Sequence, residues 1–138
     1  MRYQQNFRYI AILAMLIACG LTLAKCKTSA AGDTMIVTAS DNGKEIALKR
    51  NEALKVRLKG NPTTGFDWHV VKNDTAVLKQ KGEPAYEADR DIPGSPGMVT
   101  MTFEAGKKGI SHLSLAYFRA WEHDVAPIDS FSITVRVK

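Results

Sequence analysis

From Lys44 onward, apolar and polar residues alternate along the chain with a period of two. In "EALKVRLKG", Leu54, Val56 and Leu58 fall on one face and Lys55, Arg57 and Lys59 on the other, the pattern of a strand with one buried side. Ile46 and Leu48 repeat it, as do Phe66, Trp68 and Val70. So do Val99, Met101 and Phe103, then Leu113, Leu115 and Tyr117, then Phe131, Ile133, Val135 and Val137. Turn residues separate these runs at Asp41-Asn42-Gly43, Gly60-Asn61-Pro62, Pro93-Gly94, Gly106 to Gly109 and Ala126-Pro127. Short strands punctuated this way predict an all-β sandwich or barrel. Only Thr75 to Lys81 admits a helix, and a short strand fits there equally.

Composition narrows this to one domain. The 138 residues are 45% hydrophobic and 24% charged, enough for a single core and too few for two. The net charge of +5 falls to +3 once residues 1–18 are set aside, since they hold Arg2, Arg8 and no acid. The remaining charges are interspersed, with no basic run or aromatic ladder, so no nucleic-acid partner is expected.

The first residues stand outside the alternation. "YIAILAMLIA", Tyr9 to Ala18, is an uncharged apolar run after a basic start, shorter than the roughly 20 residues that span a bilayer. It reads as the apolar core of a secretory signal over residues 1–18. Leu16-Ile17-Ala18-Cys19 resembles the lipobox of bacterial lipoproteins, which implies cleavage before Cys19, lipidation of its thiol and anchorage to a membrane of the cell envelope. Gly20 is not the aspartate associated with inner-membrane retention, so the outer membrane or cell surface is expected. The competing reading is an ordinary signal cut near Ala24 or Ala30, with Leu23-Ala24-Lys25-Cys26 as a poorer lipobox. Residues 19–33, including the small polar "KCKTSAAG", then form a tether, and the domain covers 34–138. The two cysteines, Cys19 and Cys26, both precede the domain, so packing alone must hold the fold.

"KGNPTTGFDWHV" has the most distinctive turn chemistry. A residue before proline is pushed to an extended conformation, so Asn61 is fixed on one side, and Pro62 sets its own φ. Thr63 and Thr64 are stiff at χ1 with hydroxyls that reach nearby backbone, and Gly65 permits a positive φ. A short loop with few conformers results. Such a loop loses little entropy on being immobilised by a partner.

"NPTTGFDW" resembles the NPTTGxxW signature of the chagasin family, inhibitors of papain-like cysteine peptidases. Two further family motifs have counterparts in the right order. Gly94-Ser95-Pro96-Gly97 before "MVTMTFEA" is similar to the glycine-rich loop, with Pro96 where the family usually has glycine. Arg119-Ala120-Trp121 is similar to the Arg-Pro-Trp motif, with Ala120 in place of proline. The resemblance implies an immunoglobulin-like β-sandwich with three inhibitory loops at one end and no cofactor. It implies a papain-like cysteine peptidase as partner, held by a monomeric inhibitor. Asn61, Pro62, Thr63, Thr64, Gly65 and Phe66 would form a wedge beside the catalytic cysteine. Gly94, Ser95, Pro96 and Gly97 would lie along the non-prime side, and Arg119 and Trp121 would brace the other. Trp121 could instead close the core; for Trp68 the alternation with Phe66 and Val70 favours the core.

Catalytic readings find less support. Of the three histidines, His69 and His112 occupy outward strand positions, and His123 in Glu122-His123-Asp124 lacks a second metal-ligand group at a recognisable spacing. No G-x-S-x-G or H-E-x-x-H occurs, and Cys26 has no neighbouring base. Fold alone leaves another class open, a non-inhibitory envelope lipoprotein that binds a protein or glycan through the same loops.

Overall fold

A computed structural model describes residues 33–138; the signal sequence expected over residues 1–18, Cys19, Cys26 and all but Asp33 of the expected tether lie outside the described residues. Nine strands occur among the described residues: β1 (Thr34–Thr38), β2 (Glu45–Leu48), β3 (Ala53–Gly60), β4 (Asp67–Lys72), β5 (Leu78–Gln80), β6 (Ala85–Ala88), β7 (Gly97–Ala105), β8 (Gly109–Phe118) and β9 (Asp129–Val137). Two short 3-10 turns, Ala39–Asp41 and Pro62–Thr64, complete the set, with no α-helix among the described residues.

The strands form two mixed sheets. One runs β1-β3-β7-β5, with β6 also paired to β7; the other runs β2-β9-β8-β4. The pairs β1–β3 and β2–β9 are parallel and the rest antiparallel. Parallel neighbours need a crossover, and here the chain crosses through the Ala39–Asp41 turn from one sheet to the other.

Alternation turns the apolar faces inward. Leu54, Val56, Leu58, Met101 and Phe103 from one sheet meet Leu113, Leu115, Ile133, Val135 and Val137 from the other in one core. Trp68 belongs to it, and its Nε1 donates to the Lys59 carbonyl at 2.9 Å. A buried indole N–H without that acceptor would carry an unmet desolvation cost.

Two details depart from the sequence pattern, and a third settles an alternative it left open. Strand β1 carries three consecutive apolar residues, Met35, Ile36 and Val37, of which only Val37 is buried. Strand β6 has no buried residue, so it carries no alternation to read; backbone pairing to β7 makes it a strand. Between Thr75 and Lys81 the strand alternative holds, as β5.

The register fixes two poles. Gly60 pairs with Gly97, Asp67 with Phe118 and Tyr117 with Asp129, so three connections emerge at one end: β3–β4, β6–β7 and β8–β9. Thr34 pairs with Ala53, and Gly109 with Val137, so the chain enters and leaves the domain at the opposite end.

Candidate functional site

The three connections at the first pole contain all three motifs. In the first, Asn61 has φ −144° and ψ 87°, outside the helical region but short of the fully extended conformation expected before proline, and Pro62 opens the 3-10 turn, as its locked φ and missing N–H suit. Thr64 N–H donates to the Asn61 carbonyl at 3.1 Å and Gly65 N–H to the Pro62 carbonyl at 2.9 Å. Gly65 leaves the turn at φ +81°, a left-handed value that disfavours any residue with a Cβ.

Both threonine side chains are exposed, and both hydroxyls donate within the loop. Thr63 Oγ1 donates to Asn61 Oδ1 at 2.6 Å and Thr64 Oγ1 to the Asn61 carbonyl at 2.7 Å. Their protons therefore stiffen the turn, while their lone pairs and methyl groups face outward. Asn61 is the hub. Its backbone N–H donates to the Tyr117 hydroxyl at 2.8 Å, and its Nδ2 donates to the Gly94 carbonyl at 3.1 Å, tying the first loop to the second.

The second connection is built from within. Gly94 has φ +77°, and Asp89 N–H donates to the Pro96 carbonyl at 2.8 Å across the loop. Ser95 is buried: its Oγ accepts from Arg90 N–H at 3.1 Å and donates to the Pro96 carbonyl at 2.9 Å, and the Tyr86 hydroxyl donates to the Ser95 carbonyl. Gly97 is also buried, pressed against β6 so that an added Cβ would fall 2.8 Å from Ala88 Cα. Ser95 and Gly97 thus shape the loop from inside, and within the Gly94 to Gly97 motif Gly94 and Pro96 are the exposed members.

The third connection leans on the first. Arg119 Nε donates to the Thr64 carbonyl at 3.1 Å, Nη1 pairs with Glu122 at 3.0 Å, and the guanidinium sits 4.3 Å from the centre of the Phe66 ring. Stacking over an aromatic face and fork-like donation are both properties of guanidinium that an ammonium lacks. Phe66 lies one residue before β4, half-buried, with its ring 5.6 Å from that of Tyr117, which is itself 5.1 Å from Trp68. Trp121 is 64% exposed, which decides against a core role. Its ring passes over Gly65: a methyl there would fall 2.7 Å from Cζ2 and closer still to Cη2.

Sequence pattern alone does not find Tyr117 and Glu122 as parts of this arrangement. Tyr117 reads as a core-facing strand residue, and its hydroxyl reaches a partner 56 positions away. Glu122 reads as one of three adjacent potential ligands, yet it is engaged by Arg119; among the described residues no three metal-ligating side chains cluster. His69 packs against Phe118 at 4.4 Å, and the His112 ring is within 3.2 Å of Thr134 Oγ1.

A family model described as chagasin family peptidase inhibitor I42 matches residues 47–135, from β2 into β9. The chain belongs to the chagasin family of peptidase inhibitors. Among curated proteins it is similar to Amoebiasin-2 of Entamoeba histolytica, 26% identical over 104 residues that cover 75% of this chain and 85% of the relative. Among solved structures it resembles the cysteine protease inhibitor EhICP2 of Entamoeba histolytica, with a TM-score of 0.67 at 22% identity, covering 77% of this chain and 96% of that one. It also resembles PbICP-C, solved in complex with falcipain-2, with a TM-score of 0.52 at 15% identity over 78% of this chain and 100% of the other. At these identities the two structures establish a shared fold. The chagasin-family match spans all three motif loops.

Proposed function

We propose that this protein is a reversible, tight-binding inhibitor of papain-like cysteine peptidases, acting through the three loops at one end of an immunoglobulin-like sandwich. The observation that carries the reading is the bonding between loops: Asn61 to Gly94, Arg119 to Thr64 and Trp121 over Gly65. Three loops held as one body lose little freedom on docking, so more of the contact energy appears as affinity. Asn61 to Phe66 act as the wedge at the catalytic cysteine, the segment Gly94 to Gly97 lies along the non-prime side, and Arg119 and Trp121 brace the other. The wedge carries no charge and has a left-handed exit at Gly65, so it presents hydroxyl oxygens and methyls to the catalytic groups without offering an extended, cleavable peptide.

Lipidation of Cys19 and export to the outer membrane or cell surface complete the proposal. The domain acts as a monomer in this proposal, and its β1 begins at the pole opposite the loops. The inhibitory reading is tested by titrating papain with the protein and reading residual hydrolysis. Stoichiometric loss of activity, recovered on dilution, is expected; full activity at micromolar inhibitor would overturn it. For the anchor, replacing Cys19→Ser should release the protein from the membrane fraction, and unchanged partitioning would count against lipidation there.

A further inference from the structure

We infer that the inhibitory surface extends past the three motifs into an apolar flank formed by Val125 and Ile128, with Ile92 on the opposite side, and that these residues meet the apolar walls of the peptidase cleft. This rests on the inhibitory reading above. Among the described residues nine large hydrophobic side chains are exposed, and four of them, Ile92, Trp121, Val125 and Ile128, occupy the two loops flanking the wedge. Concentration of exposed apolar groups on one pole marks an interaction surface, whereas scattered single residues would not.

The chain is shaped to present them. Asp124 adopts a left-handed φ of +63°, turning the backbone just before Val125, which is 57% exposed. Ile128 N–H donates to the Tyr117 carbonyl at 3.0 Å, so the residue is fixed at the sheet end while its side chain stays 63% exposed. Ala126 and Pro127 lie between, making "VAPI" a run without charge or side-chain donor. Ile92 stands at 53% exposure in the β6–β7 loop, where its own N–H is taken by the Arg90 carbonyl at 2.9 Å.

The occupant follows from the layout. A central wedge of hydroxyls flanked by apolar side chains complements a cleft with polar catalytic groups at its floor and apolar walls, and the third loop joins the wedge directly through Trp121 and Gly65. A membrane surface fits less well, because Glu122, Asp124 and Asp129 stand in or beside this flank and anionic headgroups would repel them. Interfaces of this kind keep a desolvated apolar centre, and losing one buried side chain there raises dissociation more than it slows association.

The test uses the full protein against papain, with Val125→Asp, Ile128→Asp and the conservative Ile128→Val. Each aspartate variant is expected to raise the inhibition constant at least tenfold through faster dissociation at an unchanged melting temperature, and Ile128→Val to restore most of the affinity. Inhibition constants within twofold of the unsubstituted protein for both aspartate variants would overturn the inference while leaving the inhibitory reading intact. A dimer in sedimentation that Ile128→Asp abolishes without moving the inhibition constant would assign the patch to a second copy, and also overturn it. Failure of the unsubstituted protein to inhibit papain strikes the inhibitory reading itself, and this extension falls with it.

Discussion

Replacing Trp121→Ala separates the contact role of this residue from any role in the fold. A tryptophan buries roughly 200 Å² when fully covered. With 64% of Trp121 exposed, folding covers only about a third of it. That is ~70 Å², worth under ~2 kcal/mol of stability at ~25 cal/mol per Å². The remaining ~130 Å² is available to a partner, worth ~3 kcal/mol on docking by the same coefficient. Since ~1.4 kcal/mol is a tenfold change, the inhibition constant should rise by about two orders of magnitude. Thermal unfolding and papain titration on the same preparation measure both numbers. A core tryptophan would instead cost ~3–5 kcal/mol of stability. A loss of that size, or an unmoved inhibition constant, would refute the reasoning.

Other substitutions probe the supports. Gly65→Ala places a Cβ in a left-handed position, costing ~1–2 kcal/mol, and drives it into the Trp121 ring; inhibition should weaken at least tenfold, measured beside the melting temperature. Ser111 serves as a control at the far pole: buried, it donates to Asn73 Oδ1 at 2.9 Å and accepts from Asp74 N–H at 2.9 Å. Ser111→Ala leaves both partners unmet and should cost ~1–3 kcal/mol in chemical denaturation without changing inhibition of papain. Acid should destabilise the fold in a predictable sense. The Thr38 N–H and then Lys44 hold the Asp41 carboxyl below its ordinary range, and Arg136 does the same for Glu45. Both groups bind protons more weakly folded than unfolded, so their contribution is present above the ordinary carboxylate range and is lost as pH falls through the folded values. Melting temperatures should therefore fall below about pH 4, and Asp41→Asn with Glu45→Gln should flatten part of that slope.

What the sequence made legible follows burial. Strands β3, β7, β8 and β9 alternate because one face of each is covered, and the periodicity identified all four. Strand β6 was invisible for the converse reason, since its side chains are all exposed and its pairing is purely backbone. The motif strings placed three loops in order, but nothing local shows that Asn61 reaches Gly94, 33 positions away, or Tyr117, 56 away. Composition could not say whether Trp121 fills the core; its ring over Gly65 at the open end answers that. Thr64 Oγ1 bonds nearby backbone as its residue type leads one to expect, and Thr63 Oγ1 turns instead to the Asn61 side chain. Their hydroxyl protons are used inside the turn, so Thr64 supports the wedge as well as lining it.

The central claim is that the Asn61 to Phe66 wedge covers the catalytic cysteine. The most direct measurement is the rate at which iodoacetamide alkylates that cysteine in papain, with and without one equivalent of this protein. Protection that tracks the bound fraction, and falls with Gly65→Ala only as far as its binding does, is the predicted result. Alkylation at the free rate while the complex remains demonstrably bound would contradict it.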